Sequence, residues 1–261
     1  MGYTQSNRSQ TIRKSYQSKM NSIKSFVIIL IVWQLLSMSI GNNYILPGID
    51  TLIVEYPQLL TDIRFIGALT DSILFLIKTW FLILSLLFVV IIISVLNKQF
   101  RFIFKSLCAS LQPTPTFAWL PVFMLVFGVN ELTIILLMIF ATVWMVGLNM
   151  IVSLEESLTK WSKHCGNLRL GVIESIIKVY LPSLKPLLVA NFKTCWNLSW
   201  RILIGIEVVF GTIGSHWGIG TYMTDAKDIM ETSTMYAVFF IIILIGIVVN
   251  ELFDKILKEK N

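Results

Sequence analysis

Residues Ile73–Leu96 read ILFLIKTWFLILSLLFVVIIISVL, an apolar run in which Lys78 is the one ionisable side chain. A helix crosses a bilayer with about 20 consecutive, mostly apolar residues, so this stretch reads as a membrane span. Five further runs on either side share its character: Ile23–Ile40, Phe102–Val129, Leu132–Val152, Leu187–Phe210 and Thr234–Leu252. Composition agrees. Of 261 residues, 56% are hydrophobic and 14% are charged, with a mean hydropathy of +0.77. Soluble domains carry about 25% charged residues, and a soluble surface could not be covered with so few. The expected fold class is all-α, a polytopic membrane helix bundle of about six transmembrane helices. The first run follows a polar stretch and lacks a small-residue cleavage motif, so it is expected to remain as the first span.

The net charge of +6 is scattered between apolar segments rather than gathered on one solvated face, so no nucleic acid partner is expected. Its distribution sets orientation. The tail before the first span carries Arg8, Arg13, Lys14, Lys19 and Lys24 without an acid. Lys98, Arg101 and Lys105 follow the second span, and Lys160, Lys163, Arg169, Lys178 and Lys185 follow the fourth. Lys255, Lys258 and Lys260 close the chain. The intervening connections hold Arg64 and Lys227 among eight acids. Both termini are therefore expected in the cytoplasm. The expected division is a basic cytoplasmic tail (1–22), a transmembrane domain (23–256) with a cytoplasmic loop at about 153–186, and a short cytoplasmic tail (257–261).

Enzyme chemistry finds little support. His164 and His216 fall on opposite sides of the membrane in this topology, neither at a ligand spacing. Cys108, Cys165 and Cys195 form no CxxC pattern. HExxH, GxSxG and GxxxxGK[ST] are all missing, so no catalytic or metal site is expected, and nucleotide hydrolysis is not expected of this chain. Membrane-depth charges usually face protein or water. Lys78 and Lys193 lie near span ends, where they can snorkel. Glu207 lies deeper, and Trp196, Trp200, Leu203 and Glu207 share a helix face by their 4-3-4 spacing. That face either lines a cavity or buries a structural carboxylate.

Three further stretches stand out. Leu111–Pro121, LQPTPTFAWLP, places Pro113, Pro115 and Pro121 in the third run, which a straight helix does not accommodate. It is either a broken helix beside a solute path or a kinked packing helix. Leu158–Pro186 reads as two short amphipathic pieces around a break at Gly166, then Leu181-Pro182 and Pro186. It suits either a docking knob or a helix on anionic lipid. The stretch GTIGSHWGIG, from Gly211 to Gly220, favours tight turns.

In order and spacing these features resemble the permease subunits of bacterial binding-protein-dependent ABC importers, in the branch for nitrate, bicarbonate, taurine and sulfonates. The likeness runs from about Trp33 to Ile256. It rests on Leu46-Pro47, the Gln112–Pro121 segment, Phe127-Gly128, Leu181-Pro182, Ser199-Trp200 followed by Glu207, and Gly218-Ile219-Gly220. The resemblance implies the type I importer permease fold and the bacterial cytoplasmic (inner) membrane. It implies a substrate path near Trp119, Trp196, Trp200, Arg201 and Glu207. It implies helix breaks at Pro113, Pro115, Pro121, Pro182 and Pro186. Lys160, Trp161, Ser162, Lys163, Gly166 and Arg169 would form an ATPase coupling loop, although the family's acid and two alanines are absent there. Gly218 and Gly220 would face a solute-binding protein. Implied partners are an ABC ATPase dimer holding ATP and Mg, an extracytoplasmic solute-binding protein, a second permease copy and the lipid bilayer.

Overall fold

The computed structural model describes residues 27–167, 171–175, 178–179 and 181–258. The regular elements among them are helices: α1 (Val27–Ile40), α2 (Ile49–Leu59), α3 (Ile63–Leu96), α4 (Lys98–Leu111), α5 (Thr116–Phe127), α6 (Glu131–Asn167), α7 (Val172–Ser175), α8 (Leu181–Phe210), α9 (Ile219–Asp228) and α10 (Thr232–Lys258). Among the described residues, α3, α6 and α10 are long and apolar enough to cross a membrane, and α1 and α5 are shorter apolar helices. α8 has the length but carries Lys185, Asn191, Lys193, Asn197, Arg201 and Glu207 along its course.

The chain divides into two compact units. In the smaller, which among the described residues comprises 27–62 together with Asp225–Val238, the Leu46-Pro47 motif is tied to α1 by side chains. Trp33 Nε1 donates to the Pro47 carbonyl (3.1 Å), Ser37 Oγ donates to the Leu46 carbonyl (2.9 Å), and Gln34 Oε1 accepts from the Ile49 amide (2.8 Å). Pro47 offers no amide, so polar groups of α1 fix the turn into α2 instead. Thr234 donates to Glu55 (2.7 Å), and Tyr236 packs edge-on against Trp33.

In the larger unit α6 is the central element, packed against α3, α4, α5 and α8. Leu76, Ile83 and Leu87 of α3, Ile134, Leu137, Met138, Ile151 and Leu154 of α6, and Leu203 and Ile206 of α8 are fully buried. Gly147 lets Phe104 of α4 approach α6, since a Cβ there would lie 3.0 Å from its Cε1. Polar pairs join α8 to α10: Asn197 Nδ2 donates to Asn250 Oδ1 (2.8 Å), and Lys193 pairs with Asp254 (2.6 Å).

Several expectations are corrected. The third run is two helices, α4 and α5, separated at Gln112–Pro115 as the missing amides of Pro113 and Pro115 require. Pro121, expected as a break, lies inside α5. Pro182 and Pro186 lie inside α8, Pro182 as its second residue, where an amide has no intrahelical acceptor to lose. Gly166 does not end its helix, because α6 continues to Asn167. The segment Lys160–Gly166 is therefore the last stretch of a long helix rather than a separate short one. Second-span residues begin earlier than expected, at Ile63, and α2 and α9 were not anticipated.

Candidate functional site

The α8–α9 connection begins at Gly211, whose φ of 67° closes α8 in the left-handed region that favours glycine. Gly214 repeats this conformation (φ 64°) and lets the chain turn back, with Ile213 and His216 exchanging backbone hydrogen bonds at 3.2 Å. The turn returns His216 to the end of α8, beside Glu207.

Glu207 is 1% exposed. Its Oε1 accepts from Ser72 Oγ of α3 (2.7 Å) and lies 2.8 Å from His216 Nε2. Its Oε2 accepts from the Gly220 amide (2.8 Å). Ser72 Oγ in turn accepts from the Ile219 amide (2.8 Å). Glu207 and Ser72 thus serve two of the first amides of α9, which lack intrahelical partners, and the carboxylate sits where the helix dipole favours negative charge. One residue before Ser72, Asp71 accepts from the Trp217 amide (3.1 Å). Asp71 Oδ2 is also 2.9 Å from His216 Nδ1, out of line for a hydrogen bond, so this contact is one of charge. Phe75 covers the imidazole at a ring separation of 4.5 Å. Ser215 donates to Glu131 at the start of α6.

Burial pulls the His216 pKa down, but the Glu207 hydrogen bond and the charges of Glu207, Asp71 and Glu131 outweigh it and hold the value above the ordinary 6.5. A raised folded pKa stabilises the fold fully below the unfolded value and loses that contribution as pH rises through the folded one. The thermal midpoint of the detergent-purified chain is therefore expected to fall as pH rises above about 6.5. His216→Gln should flatten this dependence, and an unaltered slope in the variant would exclude His216 as its source.

The expected path residues lie on α5 (Trp119) and α8 (Trp196, Trp200, Arg201 and Glu207). Trp196 packs edge-on against Trp80 of α3 (5.5 Å) and near Phe253 of α10. Trp200 is buried, with its indole against Gly246 of α10. Trp119 packs against Phe140 of α6 (4.9 Å). Glu207 is the structural carboxylate of the two readings its spacing left open. Arg201 is exposed on α8.

Gly218 and Gly220, expected to face a partner, are buried and turned inward. A Cβ at Gly218 would lie 2.1 Å from Glu207 Oε1, and one at Gly220 would lie 2.7 Å from Glu207 Cβ. Glycine is required here for close approach to the carboxylate. Of the coupling-loop residues, Lys160 and Trp161 lie in α6, with Lys160 Nζ 5.3 Å from the Trp161 ring centre. Ser162, Lys163 and Gly166 follow in the same helix, and Arg169 lies outside the described residues. Sequence reasoning missed Ser72 and His216 as partners of Glu207, and Asp71 as the second acid beside His216. The usable signal was a polar Asp-Ser pair set just ahead of an apolar run, together with a histidine nine residues after the membrane-depth acid.

Residues 86–258 match the family model for the binding-protein-dependent transport system inner membrane component. A Methanocaldococcus jannaschii protein named as an ABC transporter permease is 25% identical over 228 residues, 85% of this chain and 83% of its own length. The nitrate import permease protein of Leptolyngbya laminosa is 25% identical over 259 residues, covering 93% and 86%. A Bacillus subtilis permease named for aliphatic sulfonate transport is 23% identical over 234 residues, covering 89% and 83%. With about two thirds of its residues within that match, this chain belongs to the binding-protein-dependent transport system inner membrane components, as the multi-pass permease subunit of an ABC importer.

Proposed function

We propose that two copies of this chain enclose one path for a small solute across the bacterial cytoplasmic membrane, with both termini of each copy in the cytoplasm. A solute-binding protein delivers the solute outside. An ATPase dimer inside binds ATP and Mg and supplies the energy, and this chain contributes no nucleotide chemistry. Nitrate and an alkanesulfonate are the solutes to try first, because relatives carry those names. The carrying observation is the polar helical connection between α6 and α8. α6 runs past its apolar portion, which gives way at Glu155 and Glu156, to Asn167, and Val172–Ser175 forms one further turn before α8. Two rigid spanning helices joined by such a connection can convert a push at its tip into movement of both. The loop at 153–186, with Lys160, Trp161, Ser162, Lys163, Gly166 and Arg169, is the surface assigned to the ATPase.

Co-purification tests this. The tagged chain, co-expressed with its ATPase and extracted gently, is expected to bring the ATPase down in equal ratio and to hydrolyse ATP. A paired Lys160→Glu, Trp161→Ala variant is expected to weaken that association about tenfold, some 1.4 kcal/mol. A stable chain that never retains an ATPase would overturn the proposal.

A further inference from the structure

We propose that His216 is a proton-dependent clasp on the outer side of the membrane, whose charge makes α3, α6 and α8 move as one body during transport. Its consequence for uptake rests on the importer reading above, to which it adds a mode of regulation. Both ring nitrogens of His216 face carboxylate oxygens: Nε2 lies 2.8 Å from Glu207 Oε1 of α8, and Nδ1 lies 2.9 Å from Asp71 Oδ2 of α3. A neutral imidazole carries one N–H, so either tautomer turns a lone pair toward an anion. The imidazolium, with an N–H on each side, suits both acids at once. His216 is 2% exposed, so water does little to screen a mismatch there. The Asp71 side chain is half-exposed, which gives the proton a way in and out.

The turn that carries His216 is also where the three helices are joined. Ser215 donates to Glu131 at the start of α6, and the Trp217 amide donates to Asp71 of α3. The amides of Ile219 and Gly220 are taken by Ser72 of α3 and Glu207 of α8. The charged groups acting on the imidazole are thus Asp71, Glu131 and Glu207, one from each helix. Arg64, near the start of α3, sits over the Trp217 ring at 5.4 Å. Loss of the His216 proton leaves three anions converging on the turn without the imidazolium between them, and like charges disfavour so close an approach. The turn then releases α3 and α6. At the opposite end of α6, the connection to α8 is where the ATPase pushes. With the outer ends tied, that push moves the three helices together; with them untied, it is absorbed by local displacement.

Two measurements test the clasp. In the purified chain, isotope-labelled histidine signals, assigned to His216 by their loss in His216→Gln, are expected to show an imidazole that is charged at about pH 6 and turns neutral well above it. An imidazole already neutral at about pH 6 would overturn the proposal. In proteoliposomes holding the assembled importer, pH is varied on the side of the solute-binding protein alone. Nitrate uptake per ATP hydrolysed is expected to fall about threefold between roughly pH 6 and pH 9, while hydrolysis itself continues. His216→Gln, uncharged at every pH, is expected to give the low ratio throughout. An equal ratio at the two pH values in wild type, or a wild-type slope in His216→Gln, would also overturn the proposal. If His216→Gln does not fold, a Glu131→Cys, Ser215→Cys pair bridged by a bifunctional thiol reagent tests the same point with His216 in place, the native Cys108, Cys165 and Cys195 being buried. The bridged importer is expected to keep its ratio as pH rises, and a wild-type fall in it would count against the clasp. A chain that retains no ATPase would remove the importer reading and the transport consequence with it, whereas the histidine titration, which needs the purified chain alone, still decides whether the clasp exists.

Discussion

Glu207→Ala is expected to destabilise the chain by about 3–5 kcal/mol, the range for breaking a buried charged pair on one side. Three donors depend on this carboxylate: Ser72 Oγ, His216 Nε2 and the Gly220 amide. Truncation removes the acceptor of all three at once, and the α9 amide has no other acceptor in the hydrogen-bond pattern. Glu207→Gln should cost less, about 1–3 kcal/mol, because the amide oxygen can still accept while the charge opposite His216 is gone. Thermal unfolding in detergent, followed alongside cleavage of the α8–α9 connection by a protease, checks the ranking. If alanine and glutamine variants match the wild type in both, the cluster does not hold the connection in place.

Gly218→Ala should rank next, at about 3 kcal/mol, the upper end of the overpacking range. Its methyl would collide with Glu207 Oε1 at 2.1 Å and with Ser72 Oγ at 2.3 Å, two atoms that are hydrogen-bonded to each other. Moving either one aside breaks the arrangement that caps α9. Gly214→Ala makes a useful contrast. Its Cβ would meet backbone at an ordinary 3.5 Å, so its penalty is confined to the left-handed φ of 64°, about 1–2 kcal/mol. Circular dichroism melts of the two variants should separate them. A Gly218→Ala chain as stable as Gly214→Ala would count against the close approach.

Much of the helical plan was legible because membrane spans advertise themselves by unbroken apolarity, which needs no knowledge of the partner helix. The run ILFLIKTWFLILSLLFVVIIISVL lies wholly within α3. What apolarity does not mark is where a helix continues into polar residues. α3 starts back at Ile63, through Arg64 and Asp71, and α6 continues past Trp161. Proline was a fair guide where two stood close together outside a helix start, at Pro113 and Pro115, and a poor one at Pro121, Pro182 and Pro186. The Glu207 site was half legible. A carboxylate at membrane depth flagged a costly group, but the donors that satisfy it lie 135 residues earlier, in Ser72, and across a turn, in His216. The inward direction of Gly218 and Gly220 depends on the same pairing, so a glycine-rich loop read alone suggested an outward surface.

The distance along the chain between Ser72 and Glu207 also bears on how the protein is made. At about 5–20 residues per second, the 135 residues separating them take roughly 7–27 s to synthesise. Throughout that interval α3 is in place with its half of the bond unmet. Glu207, when it emerges, is an uncompensated acid until α3 has been kept within reach and the following turn has delivered His216. Assembly in the membrane therefore has a late committing step, because the contacts of Glu207 are complete only once the turn after α8 has been made.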